Sequence, residues 1–302
     1  MNVLVTGGAG FIGSNVVDLL ISEGHRVCVL DDLSSGKMGH VNDCATFYET
    51  DISGDVGKII KDEGIECVIH HAAQIQVRKS IGDPAFDARV NILGSLNLLE
   101  SCRDVKKFVF ASTGGAIYGE PEYLPADESH PENPLSPYGV SKLAFEKYLY
   151  VYGELYGLDY TVLRYGNVYG PRQDPYGEAG VVAIFANNML NGETPTINGD
   201  GEQTRDFVYV EDIARANLLA TKKSAGEKVI NIGTGKETSV NEIFETIQKS
   251  LGTGITPSYG SSVKGEVRKI YLAVTRAKKE LGWQSEVSLK AGIDKFLDYL
   301  RG

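Results

Sequence analysis

Tyr138 and Lys142 stand at i and i+4, a spacing that puts both side chains on one helix face, one turn apart. An ammonium beside a phenol stabilises the phenolate and draws its pKa down from about 10 toward the working range, making tyrosine a usable general base. Ser112-Thr113 closes an apolar run, and a hydroxyl there could share a substrate oxygen's hydrogen bonds with that phenol. A second constellation, Thr6-Gly7-Gly8-Ala9-Gly10-Phe11-Ile12-Gly13, follows the first apolar run. Glycines at 7, 10 and 13 leave backbone N–H groups at a helix N terminus open to a pyrophosphate, because no Cβ intervenes. Asp31 ends the second apolar run. A carboxylate there binds the ribose hydroxyls of an adenosine and repels a 2′-phosphate, so the expected cofactor is NAD rather than NADP. Neither GxxGxxG nor YxxxK is selective alone in a chain with 35 glycines and 16 tyrosines; their order and position carry the reading. The bland alternatives are a ligand-free strand-to-helix turn and an exposed lysine beside a packing aromatic.

Such residues need a scaffold that gathers strand ends. Short β-rich runs at Asn2–Thr6, Arg26–Leu30, Thr46–Glu49, Cys67–His71, Lys107–Ala111 and Tyr160–Tyr165 alternate with helical patterns. The alternation predicts an α/β fold, a Rossmann-type doubly wound parallel sheet covered on both faces. Val27-Cys28-Val29-Leu30 and Phe108-Val109-Phe110 are continuous apolar runs, as strands buried on both faces require. Ser136-Pro137 is an N-cap with proline at N1 and opens a helix to about Tyr156; Asp83-Pro84 opens another to about Cys102. The Ser136 helix carries two apolar stripes, one of Phe145, Leu149, Tyr152 and Tyr156, the other of Val140, Leu143, Ala144, Val151 and Leu155. One stripe can cover the sheet, and the other needs a partner or burial under a second subdomain.

After Tyr165 the alternation gives way to loop-rich sequence, including the turn-forming run Asn198-Gly199-Asp200-Gly201. We expect residues 1–166 to form the dinucleotide-binding domain, re-entered at about 206–235 by a helix at Val210–Ala220 and a strand at Val229–Ile232. Residues 167–205 and 236–302, with helices at Ser239–Ser250 and Leu289–Leu300, are expected to build a smaller α/β substrate-binding subdomain.

The 302 residues, 42% of them apolar, suffice for one large domain or two closely packed ones. A net charge of −10 argues against nucleic acid or anionic lipid as partner. Cys28, Cys44, Cys67 and Cys102 stand singly, which argues against a metal site or a disulfide framework and suits a reducing cytoplasm. No apolar run reaches the ~18 residues of a membrane span, and no signal-peptide pattern precedes the first strand.

In this order the Thr6–Gly13 loop, Thr113 and the Tyr138/Lys142 pair resemble the extended short-chain dehydrogenase/reductase family, over essentially the full chain. Within it the chain is most similar to the UDP-glucose (UDP-galactose) 4-epimerases. The matching stretches are Leu30 to Gly36, Asp51-Ile52, His70 to Ala73, Asn91, Ser136 to Lys142, Arg164 to Pro171 and Gly199 to Asp212. The resemblance implies a retained NAD held by Gly7, Gly10, Phe11, Ile12, Gly13, Asp31, Asp32, Leu33, Ser35 and Gly36. It adds Asp51 and Ile52 at the adenine, Ala72, Ala73, Gln74 and Asn91 along the groove, Tyr138 and Lys142, and Tyr165 near the nicotinamide. Thr113, Asn167, Thr196 and Arg205 are implied contacts of a UDP-sugar; for Arg205 the bland alternative is a salt bridge to Asp206 or Glu211.

The implied chemistry is transient oxidation at sugar C4, with Tyr138 as base, Thr113 sharing the proton path and Lys142 holding the ribose and tuning Tyr138. Related 4,6-dehydratases carry Asp-Glu directly after the threonine, and UDP-glucuronate decarboxylases a nearby Glu. Here Gly114-Gly115-Ala116 supplies no second acid or base, which leaves epimerisation. The family's second phosphate-binding arginine is replaced by Val263, leaving Lys264 or Arg268 for that contact, and Asn198 replaces an aromatic of the uracil pocket. Ile270, near a position that limits pocket size, implies a preference for sugars without an N-acetyl group. A two-fold homodimer built on the Ser136 and Asp83 helices is also implied. Two alternatives stay open: an epimerase for UDP-GlcNAc, UDP-glucuronate or a UDP-pentose, and a catalytically silent NAD-sensing protein on the same fold.

Overall fold

The computed structural model describes residues 1–176, 180–262 and 267–302. Seven parallel strands form its large sheet: β1 (Asn2–Thr6), β2 (Arg26–Asp31), β3 (Thr46–Glu49), β4 (Cys67–His70), β5 (Lys107–Thr113), β6 (Tyr160–Tyr165) and β7 (Val229–Ile232). Their spatial order is β7-β6-β5-β4-β1-β2-β3, so the winding reverses between β1 and β4 and opens a crevice at their carboxyl ends. β5 runs two residues beyond the expected Ala111, because Ser112 and Thr113 find ladder partners in Arg164 and Tyr165. β4 stops at His70 rather than His71.

Side-chain alternation divides each strand between two cores. Val3, Val5, Val29, Ile69, Val109 and Leu163 point to one face; Leu4, Leu30, Val68, Phe108, Phe110 and Val162 point to the other. The first face is covered by α1 (Phe11–Ser22) and the helix Val210–Lys222. The second is covered by α2 (Pro84–Ala88), which continues through a π-turn at Arg89–Gly94 into Ser95–Ser101, and by α3 (Pro137–Tyr156). The expected caps form: Asp83 accepts from Phe86 N (2.8 Å) and Ser136 Oγ from Gly139 N (3.2 Å). Gly157, at φ +69°, ends α3.

A third core of Tyr169, Phe185, Phe207, Ile243, Phe244 and Phe296 joins the helices Val181–Leu190, Val240–Leu251 and Leu289–Arg301. From the stretch assigned above to the second subdomain, however, Ala277, Leu281 and Trp283 pack into the first sheet core. Trp283 is held there by an indole N–H bond to Asp212 O (2.9 Å). On α3 the two stripes separate as expected in part. Phe145, Leu149 and Tyr152 are buried against the sheet, whereas Val140, Val151 and Leu155 are 51%, 41% and 68% exposed and Tyr156 joins them in solvent. Arg103 lies over the Tyr156 ring (4.5 Å) and Leu143 packs against Ile117 and Tyr118.

Candidate active site

β1 passes into α1 through three glycines with different work. A Cβ on Gly7 (φ +69°) would come within 2.6 Å of Ala72 N, and one on Gly13 within 2.2 Å of Gly7 O. Those two positions let strand and helix close up. A Cβ on Gly10 would meet only Gly7 O, at 3.2 Å, and no side chain caps α1. The first-turn amides of Phe11, Ile12 and Gly13, which lack intrahelical acceptors, are thus open to anionic oxygens. Asp31 accepts from Ala9 N (3.0 Å) and Leu33 N (2.9 Å), which leaves carboxylate lone pairs for two hydroxyls. Burial pushes its carboxyl above the usual range, against those two bonds. The turn Asp31 to Gly36 wraps this carboxylate: Leu33 takes a left-handed φ of +57°, Asp32 bonds Ser34 N (3.0 Å), and a Cβ on Gly36, next to Ser35, would lie 2.6 Å from Asp31 Oδ1. Asp51 accepts from Ser53 N, and Ile52 is buried beside it. An open helix N terminus, a glycine cradle and a carboxylate at the end of β2 fit a dinucleotide.

At the end of β4, Ala72 N donates to Thr6 Oγ1 (3.3 Å), with Ala73 next in line. Gln74 and Asn91 exchange two bonds, Gln74 N to Asn91 Oδ1 (2.9 Å) and Asn91 Nδ2 to Gln74 O (2.8 Å). Tyr165, paired with Thr113 across β5 and β6, stacks on His71 at 6.2 Å and donates its hydroxyl to Asn217 (3.0 Å). His71 is kept neutral by burial, its pKa lowered to about 3.

Tyr138 and Lys142 share the first turns of α3, with the Lys142 Nζ 5.9 Å from the Tyr138 ring centroid and 4.8 Å from that of Phe110. The ammonium donates to Ala111 O (3.0 Å), two residues before Thr113. Burial lowers the Lys142 pKa to about 8, with Asp87 and then Glu146 opposing the shift. Tyr138 departs from the sequence expectation: burial first, and Asp87 second, push its phenol up rather than down. In the protein alone the lysine is directed at a backbone carbonyl while a buried carboxylate lies close to the phenol.

Thr113 and Asn167 converge on one opening. A Cβ on Gly115 would sit 3.9 Å from Thr113 Oγ1 and 3.5 Å from Asn167 Oδ1, ordinary contact distances. Gly114 has no such room, since a Cβ there would stand 2.6 Å from Leu272 Cδ1. A carboxylate directly after Thr113 would require the end of the Leu272 side chain to move.

The segment 268–270 runs beside Thr204-Arg205, with Thr204 N to Arg268 O at 3.1 Å and Ile270 N to Thr204 O at 3.2 Å. Arg205 Nη1 donates to Thr204 O (2.8 Å). Asp206 accepts from the amides of Thr234 (2.7 Å), Gly235 (3.0 Å) and Leu272 (3.3 Å), and Glu211 pairs with Lys295. Arg268 makes a bidentate pair with Asp200 (2.8 and 2.9 Å), which lowers that carboxyl to about 2. A phosphate would have to compete with this acid for Arg268. Lys264 lies outside the described residues. Thr196 is exposed and shares a bond with Ser258 Oγ (2.8 Å). Ile270 is buried with Leu272, Ile117 and Tyr118.

Two charged groups at the site escaped the sequence reading. Asp87 is fully buried and receives Ser141 Oγ at 2.6 Å. Arg164, 1% exposed, donates to both oxygens of Glu146 (3.0 and 2.6 Å), to Tyr118 OH (3.1 Å) and to Glu132. Glu146 also accepts from Ser112 Oγ (2.5 Å), immediately before Thr113. A signal existed for Arg164: a guanidinium inside an otherwise apolar buried strand demands an acidic partner.

Residues 3–233 match the model of the NAD dependent epimerase/dehydratase family. A UDP-glucose 4-epimerase of Mycolicibacterium smegmatis is 44% identical over 309 residues, spanning 100% of this chain and 99% of its own. A solved structure of Thermotoga maritima UDP-glucose 4-epimerase with UDP-glucose superposes with a TM-score of 0.97 at 53% identity, covering 100% of this chain and 99% of that one. The UDP-glucose 4-epimerase of Thermus thermophilus, solved in complex with NAD, gives a TM-score of 0.92 at 44% identity, with the same coverage.

Proposed function

The chain belongs to the NAD dependent epimerase/dehydratase family, and on that premise we propose that it interconverts UDP-glucose and UDP-galactose by transient oxidation at C4 of the sugar. The observation that supports this reading is Lys142, one turn from Tyr138 on α3 and bonded to Ala111 O two residues before Thr113, with glycine rather than an acid at position 114. Bound in the crevice, NAD supplies the hydride acceptor and donor and leaves each turnover unchanged. The first-turn amides of α1 hold its pyrophosphate and Asp31 its ribose. Tyr138 takes the proton of the sugar 4-hydroxyl and returns it, Thr113 shares that hydrogen bond, and Lys142 keeps positive charge beside the phenol. Asn167 orients the sugar from the Thr113 side, while Arg205 neutralises the diphosphate.

Purified protein given UDP-galactose without added NAD is expected to form UDP-glucose, on cofactor retained through purification. UDP-GlcNAc, offered in parallel with UDP-glucuronate, a UDP-pentose and a dTDP-sugar, should turn over at least tenfold more slowly, since Ile270 is large and fixed by its neighbours. Equal turnover of UDP-GlcNAc would overturn the sugar assignment, and no conversion of any sugar would favour the silent sensor.

A second copy of the chain is the proposed cover for Val140, Val151 and Leu155 on α3, because an exposed apolar stripe of this kind favours a two-fold partner. Light scattering should give twice the monomer mass, and Leu155→Glu should halve it; a monomeric parent protein would refute the dimer. The free thiols Cys28, Cys44, Cys67 and Cys102 favour the reducing cytoplasm as compartment, which recovery in the cytosolic fraction checks.

A further inference from the structure

Asp87 has no exposed surface. Its Oδ1 accepts from Gln74 Nε2 (2.9 Å) and Asn91 Nδ2 (3.0 Å), and its Oδ2 from Ser141 Oγ (2.6 Å). Two amide N–H groups and a hydroxyl thus donate to an acceptor-only carboxylate. All three donors are neutral, and among the described residues Asp87 makes no ion pair. Burying an ionised carboxylate on neutral donors is costly. Glu146, the other buried acid on this face of α3, has Arg164 against it. A fold that needed only the hydrogen bonds to Gln74, Asn91 and Ser141 would be served by an uncharged side chain, so the charge itself calls for a reason.

Ser141, which donates to that carboxylate, lies between Tyr138 and Lys142 on α3. Lys142 has a neutral partner in Ala111 O and sits against the Phe110 ring, so the negative charges within reach of its ammonium are Asp87 and Glu146. His70 at the end of β4 and His71 just beyond it are held neutral by burial, and Arg78 and Lys79 in the helix Val77–Gly82, with Asp83 and Arg89 at the ends of α2, are exposed. Resting on the epimerase reading above, we propose that Asp87 is a positioning residue: its fixed negative charge keeps the Lys142 ammonium protonated in its buried slot and sets the pH at which Tyr138 exchanges its proton. Removal of a negative charge lowers the pKa of both neighbours, the ammonium of the lysine and the phenol of the tyrosine.

The test compares the as-isolated protein with Asp87→Asn. Lys142 is followed through its ¹³Cε signal, assigned by its disappearance in Lys142→Met, and epimerisation of UDP-galactose through the pH dependence of kcat/KM. Asp87→Asn should lower the Lys142 midpoint, and move the acid limb of the kcat/KM profile to lower pH, each by about one pH unit. A uniform fall in rate with the limb in place, together with an unmoved Lys142 midpoint, would show a merely structural residue and overturn the proposal. If the parent protein epimerises nothing, the function fails on its own, and the Lys142 midpoint still decides the role of Asp87. Should Asp87→Asn fail to fold, Asp87→Ser is read the same way; failure of both neutral variants to fold would assign the charge to the fold and overturn the inference.

Discussion

Tyr138→Phe is expected to lower kcat for UDP-galactose conversion by about 10²–10⁴-fold, the usual worth of a positioned general base, with folding and retained cofactor unaffected. Among the residues assigned to the reaction, the phenol is the one that can take a proton and give it back. Thr113 is a hydroxyl too weakly acidic for the task, Lys142 is committed to a carbonyl, and Gly114 and Gly115 carry nothing. The substitution removes a hydroxyl that has no protein hydrogen-bond partner among the described residues, so it orphans no buried group and should leave the melting temperature of the parent unchanged. Loss of rate can therefore be read as loss of chemistry. KM for the UDP-sugar should change little, because Arg205 and Asn167 are untouched. A kcat within threefold of the parent would remove Tyr138 from the base role. The pH profile adds an independent mark, since the acid limb assigned to the phenol should vanish in the residual activity.

The parts of this site that were legible in the sequence are those set by local physics. Gly7, Gly10 and Gly13 follow a strand and open a helix, Ser136-Pro137 starts α3, and the i,i+4 spacing alone puts Tyr138 and Lys142 on one face. Continuous apolar runs at β2 and β5 marked strands buried on both faces. What was not legible depends on pairing across long stretches of chain. Lys142 reads as a partner of its helical neighbour Tyr138, yet its ammonium goes to Ala111 on β5, because the packing of α3 on the sheet shuts out water and leaves that carbonyl as acceptor. Arg268 reads as a spare cation for a phosphate, yet a loop turn brings Asp200 to it. Asp87 sits in the helix Pro84–Ala88, where the local sequence offers no partner for it; the packing of α2 against α3 removes it from water. The Trp283 segment likewise returns to the sheet, where it packs in the core beside the helix Val210–Lys222 and bonds Asp212 O.

Arg164→Leu is expected to cost about 3–5 kcal/mol of stability, the range for breaking a buried ion pair from one side, and to lower the melting temperature by roughly 6–15 °C. The reason lies in what stays behind. Glu146, 4% exposed, would be left a buried carboxyl with only Ser112 Oγ to satisfy it, and Tyr118 OH would lose a donor while still bonded to Asn231 (2.7 Å). Glu132 is less exposed to the loss, since Lys147 also pairs with it (2.7 Å) near the surface. The double variant Arg164→Leu/Glu146→Leu should therefore recover part of the deficit, because it removes the orphaned carboxylate together with its partner. A double variant less stable than the single one, or a single variant within about 2 °C of the parent, would show that this cluster does not hold the charge balance assigned to it. The same cluster ties β5, β6 and α3 together at one height: Ser112 precedes Thr113, Arg164 precedes Tyr165, and Glu146 lies one turn beyond Lys142. Any single variant that does fold should consequently lose kcat as well as stability, since Thr113 on β5 and Tyr138 on α3 are tied through the Ser112–Glu146 bond that Arg164 holds in place.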